Sequence, residues 1–187
     1  MTGPAIQTKV WEVIGAVPEL LDLVIEVLLA RAFDRKQGGS GSTALSVIAD
    51  IFVSMATRNA RLIAGKLIAR LLRLLPHFKG YRDKYPDGSS TTTTSGDDPS
   101  SSSSSSSEAD LWFQLDVLVR ILLMLSFDNL VHVQQYLPEL FHAVLLLFAT
   151  GPPVTRATVH GLLINIVHSL YTTLVTADNK LQSLRLL

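Results

Sequence analysis

The stretch that decides the fold is GPPVTRATVHGLLINIVHSLYTTLV, which runs from Gly151 to Val175. It reads as one helix that is apolar on nearly every side. A helix of that kind is usually buried between neighbouring elements. We therefore predict an all-helical surrounding in which this segment packs on several sides through Val154, Ala157, Leu162, Leu163, Ile166, Val167 and Leu170.

Four polar side chains interrupt this apolar helix: Arg156, His160, Asn165 and His168. A shared zinc ion is excluded, because two histidines eight residues apart lie about 12 Å apart along a helix axis. Buried polar groups need partners, so we interpret all four as structural. Arg156 would reach the loop at Gly151, and Asn165 and His168 would bond a neighbouring helix end or loop carbonyl. A binding role is the alternative.

The composition favours helices and excludes several functions. The chain has 187 residues, of which 48% are hydrophobic but only 7% aromatic, and aliphatic, aromatic-poor sequences favour helices over sheets. Sixteen basic residues balance sixteen acidic ones, so no global field attracts nucleic acid. The absence of cysteine excludes disulfides and thiol nucleophiles. We expect no signal peptide and no transmembrane segment, because the apolar runs are too short or too charged to span a bilayer.

The remaining sequence predicts about eight helices and no strand. Apolar residues recur at helical spacing in segments 7–14, 18–33, 43–56, 59–75, 108–127, 138–150, 153–175 and 179–187, and 128–136 is expected to form a short turn of helix. Thr43 is a plausible N-cap, and Gly151 fits a left-handed C-terminal cap. On the second helix we expect one buried face formed by Leu20, Leu21, Val24, Val27 and Leu28.

This pattern indicates an all-α fold, either a compact bundle or a stacked α-solenoid of the HEAT or armadillo kind. Apolar helix faces at both ends favour the solenoid, and the final Leu186 and Leu187 suggest a piece of a longer protein. Residues 86–107, almost pure Ser, Thr, Gly, Asp and Pro, should be disordered. We interpret them as an insertion between helical blocks 4–85 and 108–187 of one array. The tract is a passive spacer or, alternatively, a phosphorylated regulatory loop.

A basic stretch is the main candidate contact surface. Residues 58–84 contain eight basic residues and one acid, Asp83. One interpretation is a solvated face whose partners lie on neighbouring repeats. The other is a surface for an acidic partner or anionic lipid headgroups, formed by Arg58, Arg61, Lys66, Arg70 and Arg73. Nucleic acid is disfavoured because no recognition motif is present.

No catalytic, cofactor-binding or metal-ligating set emerges. The chain lacks a G-x-S-x-G nucleophile elbow. Its glycine-rich segment GGSGS, residues 38–42, lacks the lysine of a phosphate-binding loop. The adjacent acids Asp97 and Asp98 lie in the tract predicted to be disordered, which could not hold them in a fixed geometry.

Two long stretches carry a family resemblance. PAIQTKVWEVIGAVPELLDLVIEVLL (4–29) and LLMLSFDNLVHVQQYLPELFHAVLLLFATGPPVTRATVHGLLINIVHSL (122–170) resemble the neurofibromin family of Ras GTPase-activating proteins. The similarity is to the helical repeats that follow its Sec14-like and pleckstrin-homology-like module. It is strongest over Tyr136–Leu170. Tyr171, the segment Pro153-Val154-Thr155 and the Ser/Thr tract depart from the family pattern.

The resemblance implies a cytoplasmic α-solenoid that contacts neighbouring repeats of its own chain and forms a homodimer in the full-length protein. Such proteins stimulate GTP hydrolysis by Ras with an arginine finger in a separate domain, marked by Phe-Leu-Arg followed by Pro-Ala. The segment SLRLL, residues 183–187, lacks that pattern. The resemblance therefore implies a structural segment without a catalytic residue. The alternatives are an independent helical adaptor that binds a peptide or helix in a groove, and a helical enzyme with a concave pocket of titratable groups.

Overall fold

A computed structural model describes residues 3–34, 41–77, 102–128 and 130–185. Within these ranges the chain forms six α-helices and no strand, which confirms the all-α prediction. A 3₁₀ turn, Leu75–His77, follows the third helix. The helices are α1 (Gly3–Gly15), α2 (Pro18–Ala32), α3 (Gly41–Leu74), α4 (Ser102–Phe127), α5 (Leu137–Thr150) and α6 (Pro153–Arg185).

The predicted number of eight helices is wrong for the described residues, because two pairs of predicted segments each form one helix. Segments 43–56 and 59–75 are joined in α3, which bends where Asn59 leaves helical geometry (φ −146°, ψ 51°). The described residues of 128–136, which we expected to form a short turn of helix, form turns and bends, and His132 has a positive φ of 50°. The described part of segment 179–187 continues α6 to Arg185. We call residues 41–58 and 60–74 the first and second arms of α3.

Two predicted helix caps are also wrong. Helix α3 begins at Gly41, so Thr43 lies inside the first turn. Gly151 is extended (φ −72°, ψ 157°) rather than left-handed, and its N–H donates to the carbonyl of Leu147 at 2.8 Å. The cause is Pro152, because a residue that precedes proline is driven towards extended backbone.

Helix α4 starts inside the tract that the sequence predicts to be disordered. It begins at Ser102, six residues before the predicted start at Glu108. Extension of an existing helix adds one hydrogen bond per residue, and serine opposes this only weakly. The prediction of disorder is therefore wrong for 102–107. Residues 86–101 lie outside the described residues, and the division into blocks 4–85 and 108–187 stays a prediction.

The helices pack in chain order. Helices α1 and α2 make their substantial contacts, among described residues, with each other and with α3. Helix α3 packs on α4, α4 packs on α6, and α5 lies against α3 and α6. One continuous apolar core follows this order, and its largest fully buried side chains include Leu21, Phe52, Met55, Leu67, Leu115 and Leu118.

Helices α4 and α6 run in the same direction. The Thr155 hydroxyl donates to the Asp116 carboxylate, and the Asn165 amide donates to the Ser126 hydroxyl. Both bonds join residues that are 39 positions apart. Because the spacing stays constant as the chain advances along both helices, the two helices are parallel neighbours.

The second arm of α3 has the same relation to α2. Lys66 pairs with Asp22, and Arg70 pairs with Glu26. In both pairs the basic residue lies 44 positions after its acidic partner. These two pairs again keep a constant spacing along both helices. Helix α2 and the second arm of α3 are therefore parallel.

Helix α1 and the first arm of α3 form a third pair of this kind. Trp11 and Ile51, 40 positions apart, line one cavity. Gly15 lies directly on the backbone of Met55, again 40 positions later. Three neighbouring pairs are thus parallel with chain offsets of about 40 residues.

The predicted buried face of α2 is only half correct. Leu21 and Leu28 are buried, but Leu20 and Val27 are 46% and 59% exposed. The buried stripe consists instead of Leu21, Ile25, Leu28, Leu29 and Ala32. Because α2 is apolar on two sides, its pattern alone did not identify the side that faces α3.

Candidate functional site

The four polar residues of α6 do not share one buried environment. Arg156, His160 and His168 are exposed, and only Asn165 is half-buried. The expectation of burial is therefore wrong for the first three, among the residues that the structure describes. Their role in structure or in binding stays a prediction.

Helix α6 itself buries one stripe rather than its whole surface. Val159, Leu162 and Ile166 are buried against α4 and α5. Val154 and Val167, which we expected to be covered, are 61% and 54% exposed, and Ala157 is also exposed. An apolar side of α6 thus faces away from every described neighbour.

Asn165 has the kind of neighbour that the sequence predicts. Its Nδ2 donates to Ser126 Oγ at 2.8 Å, and Ser126 Oγ donates to the Leu123 carbonyl at 2.6 Å. Ser126 lies in the last turn of α4, so the partner is a hydroxyl at a helix end and not a carbonyl. This relay satisfies a partly buried polar group at the contact between α4 and α6.

Sequence reasoning missed a second polar link between the same helices. Asp116 accepts a hydrogen bond from Arg120 Nε at 2.7 Å and another from Thr155 Oγ1 at 3.3 Å. Thr155 is buried. The i, i+4 spacing of Asp116 and Arg120 in an otherwise apolar helix could have predicted their ion pair. Nothing in the sequence indicated that Thr155 would join them.

Three of the five predicted contact residues are already paired. Lys66 pairs with Asp22 of α2, and Arg70 lies 4.0 Å from the Glu26 carboxylate. Arg58 lies 3.4 Å from the Glu12 carboxylate of α1. Exposed pairs of this kind contribute about 0.2–1 kcal/mol. Their geometry favours the interpretation of a solvated face with partners on neighbouring helices.

The other two predicted contact residues differ from these. Arg61 and Arg73 are exposed, and neither has a carboxylate partner within the described part of the chain. The Arg61 main chain is held in place, because its carbonyl accepts a hydrogen bond from the Tyr136 hydroxyl at 3.1 Å. Arg61 therefore presents a free charge from a fixed backbone position.

Arg61 lies beside a groove of about 580 Å³ on the second arm of α3. Leu62, Gly65 and Ala69 form its floor, one helical turn apart. Distant parts of the chain also line it, namely Pro18 at the start of α2 and Gln135 with Tyr136. We call this the α3 groove; Asn59, Arg61 and Lys66 also line it.

Gly65 allows the groove to form. A Cβ atom at this position would lie 2.5 Å from the Tyr136 hydroxyl oxygen. Without one, the tyrosine approaches the helix closely enough to reach the Arg61 carbonyl. The sequence offers no local signal for this contact, because the two residues are far apart in the chain.

Metal binding and membrane insertion find little support in the described ranges. No group of three or more His, Asp or Glu residues there is arranged to hold a metal ion. One stretch, Pro153–Ala177, is long and apolar enough to cross a membrane by length and composition. A single helix of this kind is weak grounds for a membrane protein.

Comparison with known proteins relates the chain to two yeast regulators. No protein-family model matches it. It is 42% identical over 59 residues, or 32% of the chain, to inhibitory regulator protein IRA2 of Saccharomyces cerevisiae. It is 25% identical over 163 residues, or 87% of the chain, to inhibitory regulator protein IRA1 of the same yeast. The chain spans only 2% and 4% of the length of these relatives.

Proposed function

We propose that this chain is a non-catalytic α-solenoid segment of a neurofibromin-like Ras GTPase-activating protein. The observation that carries the proposal is the similarity to IRA1 along 163 residues, almost the whole chain. The name of IRA1, inhibitory regulator protein, agrees with the direction in which a GTPase-activating protein acts on Ras.

The packing supports the solenoid part of this proposal. In an α-solenoid each helical pair contacts its neighbours in the chain, and equivalent helices of successive repeats are parallel. The parallel pairs found here are 39, 40 and 44 residues apart, within or close to the period of about 40–47 residues of HEAT and armadillo repeats. On this basis α1 with α2, the two arms of α3, and α4 with α5 are successive repeats, and α6 opens a fourth.

The properties that this chain would not supply belong, on this proposal, to a longer protein. The Ras-binding arginine finger, the homodimer contacts and the cytoplasmic location belong to that protein. A second candidate is an independent helical adaptor, and the α3 groove is the observation that favours it.

GTP hydrolysis by purified Ras tests the non-catalytic part. We expect no acceleration when this chain is added, because no Phe-Leu-Arg and Pro-Ala pattern is present. Acceleration that mock preparations lack would contradict the proposal. The Arg185→Ala variant would then tell whether the one arginine in a similar string is responsible.

A chimera tests the regulatory part. The matched 163-residue segment of yeast IRA1 is replaced by this chain, and the GTP-bound fraction of Ras is measured in the cell. We expect the chimera to keep the GTP-bound fraction of Ras low. This regulation of Ras should be lost when Leu118→Pro breaks α4 in the core of the insert. A chimera that never regulates Ras, although it is expressed and folded, would contradict the proposal.

A further inference from the structure

We propose that the α3 groove is a docking site for an acidic peptide segment that inserts an apolar side chain. This inference does not rest on the proposed role in Ras regulation. It concerns a binding activity of the described residues themselves.

The floor of the groove suits an apolar side chain. Leu62, Gly65 and Ala69 occupy one face of the second arm of α3, and two of them are among the smallest residues. The helix surface is therefore recessed between Pro18 and Tyr136. The groove has a volume of about 580 Å³ and is widely open to solvent, so it suits an extended chain that lies along the surface rather than an enclosed ligand.

Both charged side chains that line the groove are basic, and the nearest acid in contact with them is Asp22, which pairs with Lys66. The charged lining residues are Arg61 and Lys66, and no carboxylate lines the groove. Lys66 shares its charge with Asp22, but Arg61 has no carboxylate partner among the described residues. An occupant with carboxylates beside its apolar anchor would complement both features.

The geometry favours a peptide over a lipid surface. Binding to anionic lipid headgroups uses a broad cluster of free basic residues. Here Arg58 and Arg70, on the same helix, are paired with carboxylates of α1 and α2. Of the two arginines of this helix without a carboxylate partner among the described residues, Arg61 lies at the edge of the groove and Arg73 lies outside it. The groove therefore receives one free charge rather than a broad basic cluster, which fits a single peptide chain.

Fluorescence anisotropy with two labelled peptides tests the inference. In the first peptide leucine and phenylalanine alternate with glutamate and aspartate; in the second, lysine replaces every acid. We expect the acidic peptide to bind with an affinity that falls as salt is added, and the basic peptide not to bind. Absence of binding by the acidic peptide, or equal binding of both, would overturn the proposal.

Two charge reversals on the same helix provide the matched control. Arg61→Glu removes an attractive pair and adds a repulsive one, so we expect affinity for the acidic peptide to fall roughly fivefold or more. Arg73→Glu makes the same change of charge at an exposed residue outside the groove, and we expect less than about a twofold change. Circular dichroism of both variants confirms that each remains folded.

Two further measurements complete the test. Ala69→Trp fills the floor from an exposed position, and it should abolish peptide binding without a change of charge. Vesicles of phosphatidylcholine and phosphatidylserine should not bind in an Arg61-dependent manner. If both arginine reversals weaken peptide binding equally, or if vesicles bind and the peptide does not, the groove is not the site.

Discussion

Gly15→Ala should destabilise the protein strongly, because Gly15 lies directly on the backbone of a neighbouring helix. Gly15 ends α1, and an added Cβ would lie 2.3 Å from the Met55 carbonyl oxygen, 2.8 Å from its Cα and 2.9 Å from its carbonyl carbon. All three atoms belong to the backbone of α3. No side-chain rotation relieves these contacts, so the two helices must separate.

The size of the effect follows from two opposing terms. Overpacking of a tight contact costs about 1–3 kcal/mol, and three backbone clashes at once place this substitution near the upper end. Alanine recovers at most about 1 kcal/mol through its better helix propensity. The free energy of unfolding should therefore fall by about 2 kcal/mol.

Gly161→Ala is the matched control, and its expected effect on stability has the opposite sign. A Cβ at Gly161 in α6 would meet Leu123 methyl groups at 3.4 and 3.6 Å, which are ordinary van der Waals contacts. The same exchange should therefore raise the free energy of unfolding by about 0.5–1 kcal/mol. Urea unfolding, followed by the helical circular dichroism signal, measures both variants. If Gly15→Ala proves as stable as the parent, α1 does not pack on α3 as described.

Three further predictions concern polar links and exposed faces. Asn165→Ala should lower the free energy of unfolding by about 1 kcal/mol through loss of the hydrogen bond to Ser126. His160→Ala should change it by less than about 0.5 kcal/mol, and added zinc should not change the melting of either variant. Equal losses of stability in the two variants would contradict this. Glu26→Gln should cost less than about 1 kcal/mol, and the cost should vanish in high salt; a cost that persists there would contradict an exposed ion pair. The apolar stripe that contains Leu20 and Val27 should make the chain self-associate, and a monodisperse monomer in sedimentation velocity would argue for the independent adaptor.

Local sequence patterns predicted most of the helices. The predicted starts of segments 18–33 and 138–150 agree with α2 and α5, whose first turns contain Pro18 and Pro138, because proline fits a first turn. The boundary predicted between segments 43–56 and 59–75 coincides with the bend at Asn59. Helical spacing does not reveal whether such a boundary ends a helix or only bends it, because that depends on what each arm packs against.

The buried sides of the helices could not be predicted as well. Helices α2 and α6 are apolar in more than one direction, so Val27 and Val167 looked as suitable for the core as Leu28 and Ile166. Only the position of the neighbouring helix decides between them. This is why the expectation that α6 is covered on all sides was wrong.

The contacts that define the candidate site depend on register between distant helices. The pairing of Lys66 with Asp22 follows once α2 and α3 are known to be parallel, but neither charge alone indicates it. The approach of Tyr136 to Gly65 joins residues that lie far apart in the chain. The basic stretch was visible in the sequence, but its division into paired residues and the free Arg61 was not.

Thiol crosslinking tests the parallel stacking of helices most directly. The chain has no native cysteine, so two introduced cysteines report only on each other. We expect a short thiol-to-thiol crosslinker to join Ser126→Cys to Asn165→Cys and, in a second variant, Asp116→Cys to Thr155→Cys. The crossed combination of Ser126→Cys with Thr155→Cys should not react, because ten residues along parallel helices separate these positions by about 15 Å. Efficient crosslinking of the crossed pair, with none in the two matched pairs, would contradict the stacked arrangement of α4 and α6.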